Sequence, residues 1–95
     1  MRIYELTFII APTVEDEGVQ ATVEKVTAWI EAGEGKVEKV DIWGRRQLAY
    51  PIRDFREGTY VLLEVLMAQS ALGELERSFK LDLDIIRYLL VRKGE

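Results

Sequence analysis

Two hydrophobic periods take turns along this chain, and the order in which they do so limits its fold more than any single motif. Residues 2 to 10 alternate, with Tyr4, Leu6, Phe8 and Ile10 on one side and Ile3, Glu5, Thr7 and Ile9 on the other, the period of a strand. Ala11-Pro12-Thr13 breaks that run. Thr13 or Asp16 can cap a following helix whose first turn carries Glu15, Asp16 and Glu17 at the positive end of its dipole. Val19, Val23, Val26 and Ile30 then recur at spacings of four, three and four, one helix face wide, until Gly33 and Gly35 end the helix.

A second strand is expected from Lys36 through Ile42. There Val37 and Val40 fall on opposite faces, which calls for a bulge or a change of exposure, and Gly44 is the natural place for a bend. The strand resumes through Leu48 and Tyr50, because a residue before Pro51 is pushed to extended geometry. Arg53 to Gly58 reads as a hairpin loop. Thr59 to Met67 alternates Val61, Leu63, Val65 and Met67 against Tyr60, Leu62, Glu64 and Leu66, so both of its faces are largely apolar. Ser70 can cap a second helix with Leu72, Leu75 and Phe79 inward, and a last strand spans Ile85 to Arg92. The order β-α-β-β-α-β names an α+β architecture. Two interlocked right-handed crossovers in one sheet give the ferredoxin-like split arrangement, a four-stranded antiparallel sheet of order 4-1-3-2 with both helices on one face. At 95 residues the whole chain, 1–95, is expected to be a single domain around one core.

Composition excludes much. Apolar residues make up 48% and charged residues 32%, a balance of globular chains. With no cysteine and no histidine there is no disulfide, no thiolate nucleophile and no imidazole ligand or acid/base. The first-turn acids of the first helix serve its dipole, and Asp82 and Asp84 form neither a carboxylate dyad nor a calcium loop. Acylphosphatases share the fold, but their glycine-rich anion loop is replaced here by Ala11-Pro12-Thr13-Val14. Neither a catalytic activity nor a cofactor nor a metal is expected. No apolar run approaches a membrane span, and nothing near Met1 reads as a signal peptide.

With one face of the sheet under the helices, the other should be polar if it meets only water. Instead it carries Ile3, Ile9, Tyr60, Leu62, Leu66, Leu89 and Val91. Such a patch is either a partner site or a surface covered by the long second strand or by Trp43 folding over. The bases sort by fold: Arg2, Lys36, Arg92 and Lys93 gather at one pole, while Arg45, Arg46 and Arg53 cluster elsewhere. Seventeen acids against 13 bases give a net charge of −4, so any nucleic-acid contact has to be local. The Arg45-Arg46 pair beside Trp43 and Tyr50 suits it best, because guanidinium stacks on aromatic planes and forks onto phosphate.

Three segments carry a resemblance: Arg2-x-Tyr4-Glu5, then Gly44-x-Arg46-x-Leu48-Ala49-Tyr50-Pro51-Ile52, and Arg87-Tyr88-Leu89-Leu90-Val91. Through them, residues 1 to 93 resemble the bacterial small-subunit ribosomal protein six family. The resemblance implies a structural, non-catalytic constituent of the cytoplasmic ribosome. It would bind small-subunit ribosomal RNA in the central domain together with the eighteenth small-subunit protein during assembly. RNA contacts are expected at Arg2, Lys36, Arg45, Arg46, Arg53, Arg87, Arg92 and Lys93, of which Arg2, Arg46 and Arg87 are positions the resemblance itself marks, with Tyr4 beside them. The protein interface would take Ile3, Ile9, Trp43, Tyr50, Tyr60, Leu62, Leu66, Leu89 and Val91. Ile3, where the family often carries a base, and the short C-terminal end shift weight from RNA alone to the protein partner. The competing reading is a ligand-sensing or homodimeric ferredoxin-like module that pairs through the same open face.

Overall fold

The computed structural model describes residues 1–93. It contains β1 (Arg2–Ile10), α1 (Asp16–Ala32), β2 (Lys36–Ile52), β3 (Phe55–Met67), a 3₁₀ turn (Gln69–Ala71), α2 (Leu72–Leu81) and β4 (Ile85–Arg92). The strands form one antiparallel sheet ordered β2-β3-β1-β4, the expected 4-1-3-2 read from the other edge. Both helices lie on one face. Tyr4, Leu6, Phe8 and Ile10 of β1 pack with Val61, Leu63, Val65 and Met67 of β3 under Val19, Val23, Val26 and Ile30 of α1 and Leu75 and Phe79 of α2. Phe79 is the aromatic hub, with ring centroids 5.7 Å from Phe8, 5.4 Å from Trp29 and 4.9 Å from Tyr88.

The helix ends differ from expectation. Neither Thr13 nor Asp16 caps α1; Glu15 stands at the N-cap with extended backbone and no side-chain bond, leaving Asp16 and Glu17 to meet the dipole. Ser70 lies inside the 3₁₀ turn, which feeds the chain into α2 behind Ala71. At the other end of α1, Glu34 rather than a neighbouring glycine takes the left-handed conformation (φ 65°), while the Gly35 N–H donates to Ile30 O at 2.9 Å.

The long hairpin departs most from the sequence reading, and its shape sets the functional surface. β2 runs for 17 residues, with register shifts at Val37/Lys39, Ile42/Gly44 and Gln47/Ile52. The first shift brings Val37 opposite Val65 and Val40 opposite Leu63, so both valines share the helix-side face after all. The second falls at Gly44, whose φ of 90° only glycine adopts without strain. The turn is not the six-residue loop expected over Arg53 to Gly58. Ile52 pairs with Phe55, and Arg53 and Asp54 alone turn the chain, with φ of 50° and 68°. Those signs are what a two-residue turn matched to strand twist requires, and an Arg-Asp pair gives no sequence signal for it. Beyond Gln47 the hairpin end curls over the open face. Leu48, Ile52, Phe55 and Tyr60 there cover a second small core of Ile9, Ala11 and Ile86.

Candidate functional site

The open face divides into three zones. In the first, the curled arm Leu48–Ile52 stands over β1 and β4 and leaves an apolar cleft of about 240 Å³ lined by Thr7, Ile9, Tyr50, Tyr60, Arg87 and Leu89, among others. Arg87 closes one rim: its Nη1 donates to Tyr50 Oη at 2.7 Å, and its guanidinium lies 6.0 Å from the Tyr50 ring centroid. The arm buries Ile9 to 6% exposure, so this member of the expected interface is interior. Tyr60 is only half-exposed for the same reason.

A stack forms the second zone. The bulge at Ile42/Gly44 lays Trp43 on Tyr60 with rings 6.3 Å apart and 11° from parallel. Trp43 Nε1 donates to Asp41 Oδ2 at 3.0 Å, and the Arg46 guanidinium sits 5.5 Å from the Trp43 ring. Arg45 does not join Arg46. Strand alternation sends it to the helix side, where Nη2 donates to Pro12 O at 3.0 Å and Nη1 lies 3.6 Å from Glu57 Oε2. The two adjacent guanidinium groups therefore serve opposite faces, and Tyr50 is the partner of Arg87 rather than of either.

The third zone runs from the cleft's edge at Leu89 to the end of the sheet away from the arm. Ile3, Leu89 and Val91 are exposed by 44%, 58% and 48%, and Leu62 and Leu66 are half-buried among them. Two carboxylates interrupt this apolar ground, because the register sets Glu5 directly opposite Glu64, an unfavourable pair in isolation. Lys93 answers both: Nζ donates to Glu64 Oε2 and lies 3.9 Å from Glu5 Oε2. The hydrogen bond and charge of Lys93 hold the Glu64 carboxyl below its ordinary value, and the same bond raises Lys93. Lys93 thus reaches across the sheet to carboxylates instead of standing free with Arg2 and Arg92. Those two do stay close, since Arg92 pairs with Tyr4 and the Lys93 N–H donates to Ile3 O at 2.8 Å. Lys36, opposite Leu66, enters from the same end.

Arg53 does not cluster with Arg45 and Arg46. The hairpin tip carries it across the sheet to the outer side of β4, where it lines a groove with Lys80 and Arg87. Lys80, in the last turn of α2, is not among the bases expected from the sequence. Only the curl of the hairpin brings these three bases together.

The family model for ribosomal protein S6 matches residues 3–92. The chain belongs to the ribosomal protein S6 family. Among its relatives are the small ribosomal subunit proteins bS6 of Moorella thermoacetica and Desulforamulus reducens. The first is 45% identical over 95 residues, all of this chain and 97% of that protein. The second is 43% identical over the full length of both. The 30S ribosomal protein S6 of Thermotoga maritima superposes with a TM-score of 0.92 at 40% identity, covering 97% of this chain and 87% of that one. As an S6 family member the chain is a structural component of the small ribosomal subunit, it is not an enzyme, and its place is the ribosome of the cytoplasm.

Proposed function

We propose that this chain, acting as one domain, binds small-subunit ribosomal RNA of the central domain jointly with the eighteenth small-subunit protein. In this reading the open sheet face is the protein interface, centred on the cleft and on Ile3, Leu62, Leu66, Leu89 and Val91, with Trp43, Tyr50 and Tyr60 around it. RNA is met through the exposed bases outside that face and through Arg46. The observation that carries the reading is the exposed apolar ground of Ile3, Leu89 and Val91 on a chain of net charge −4. Apolar surface of that kind is covered in an assembly, and a net negative charge gives little unaided attraction to a polyanion.

Affinity for the RNA alone is then weak and becomes tight when the eighteenth protein is present. Filter binding to a central-domain RNA fragment at fixed salt, with and without that protein, tests this, and equal affinity in both cases overturns it. The same apolar face supports a second reading, self-pairing. Sedimentation separates the two: a stable dimer that ignores both the RNA and the eighteenth protein would favour the homodimeric module.

A further inference from the structure

The groove beyond the arm brings bases together from three separate elements. Arg53 comes from the turn between β2 and β3, Lys80 from the last turn of α2 and Arg87 from β4, around a floor that includes Ile85, Ile86 and Tyr88. Its volume is about 410 Å³, larger than that of the apolar cleft. Among the described residues none of the three bases has a carboxylate within ion-pair distance, in contrast to Lys25, Arg45 and Lys93. On the floor, Tyr88 Oη donates to Glu76 Oε1 at 3.1 Å, which orients that carboxylate without neutralising it. Arg87 is held in place by Tyr50. Because β4 is an edge strand, alternate backbone N–H groups along its outer side have no strand partner and can donate to an anion.

On a chain of net charge −4, three bases without ion pairs beside unpaired edge N–H groups make a local anion site. At the terminal pole Lys93 is instead spent on Glu64 and Glu5, which leaves Arg2, Lys36 and Arg92 there. We propose that the groove of Arg53, Lys80 and Arg87 along the outer edge of β4 seats the phosphodiester backbone of an RNA strand. This rests on the RNA-binding reading above and adds to it the place of contact and a residue, Lys80. An RNA backbone is preferred to an acidic protein segment because guanidinium forks onto phosphate and the proposed function already brings that polyanion to the chain.

The test is an Arg53→Asn, Lys80→Gln variant. Asn tolerates the left-handed backbone of the turn, and both side chains are exposed, so the fold should survive. Binding to a central-domain RNA fragment is followed through a salt series with the eighteenth protein present. The log-log slope should flatten by about 0.7–0.9 for each lost phosphate contact, thus by about 1.4–1.8 for the pair. An Arg2→Gln, Lys36→Gln control should change it less. An unchanged slope in the groove variant, with the wild type binding normally, overturns the inference and leaves the RNA-binding reading standing. Loss of capture of the eighteenth protein with the RNA slope intact also overturns it, by assigning the groove to an acidic protein segment. A wild type that binds no RNA even with the partner sinks the general reading and the groove with it.

Discussion

Replacing Gly58 with Ala tests the feature on which the functional surface depends, the close seating of the hairpin arm on β1. A Cβ at Gly58 would lie 2.5 Å from Ile9 Cγ2, 3.0 Å from Ile10 O and 3.7 Å from Ile86 Cδ1. The first obstacle is a methyl of a buried β-branched side chain with little rotamer freedom. The second is backbone of a strand bonded on both sides, so neither yields without moving the arm. Overpacking of this kind costs about 1–3 kcal/mol, and the reduced freedom of the unfolded chain returns about 0.4–1 kcal/mol. The net loss is about 1–2 kcal/mol, a fall in Tm of roughly 5–15 °C for a domain of this size. Urea unfolding should show a lower midpoint with an unchanged slope. In an Ile9→Ala background the methyl is gone while the Ile10 carbonyl stays, so the same substitution should cost about 1 kcal/mol less, a coupling well beyond ordinary additivity error. A Gly58→Ala protein as stable as the wild type, or costs that simply add, would refute the account of the arm.

Two further outcomes follow from the same geometry. Leu89→Glu should leave the melting temperature nearly unchanged and weaken capture of the eighteenth protein, whereas Leu63→Glu buries an uncompensated charge and should unfold the domain; a folded Leu63→Glu protein would mean that the two faces of β3 are reversed. Glu64 is held below its ordinary value of 4.5 first by the hydrogen bond from Lys93 and then by the Lys93 charge, with Lys39 adding a smaller pull. Its folded pKa is thus depressed, so the stability it contributes is present above the unfolded value and is lost as pH falls through the folded one. An NMR titration should find the Glu64 pKa rising back to its ordinary value or past it in Lys93→Met, because burial, which raises it, outweighs the pull of Lys39, and no movement would refute the pairing.

How far the chain could be read in advance depended on whether a residue's partner is local. The strands and helices were legible because Tyr4 to Ile10 and Val19 to Ile30 repeat at the periods of their own elements. Strand order followed from the rule for crossovers, and the bend at Gly44 from the one residue that adopts its φ freely. What escaped was set across the sheet. Nothing near Arg53 and Asp54 announces a two-residue turn, and without that turn the arm cannot be seen to reach Ile9. The alternation that identifies β2 as a strand also implies that Arg45 and Arg46 point apart, yet their adjacency in sequence suggests a joint site. Strand order alone puts Lys93 at a basic pole beside Arg2, but which side chains it meets there, Glu5 and Glu64, depends on the register of the other strands.

Arg87 gives the two proposed surfaces a physical reason to act together. It lines both the apolar cleft and the basic groove, and its bond to Tyr50 fixes it on the boundary between them. A protein seated in the cleft would cover Tyr50, which is 56% exposed, and take water from one side of the guanidinium. Coulombic attraction toward a phosphate on the other side grows as the surrounding medium becomes less like water. The same cover would fix the arm, and with it Arg53 at its tip, so less ordering would remain to oppose RNA binding. Both effects run in the direction of tighter RNA binding after the protein partner has docked. Neither needs the two ligands to touch, and by linkage RNA bound in the groove would favour the protein in the cleft to the same degree. A chain of net charge −4 can then contribute a phosphate site inside an assembly while remaining a poor RNA ligand by itself.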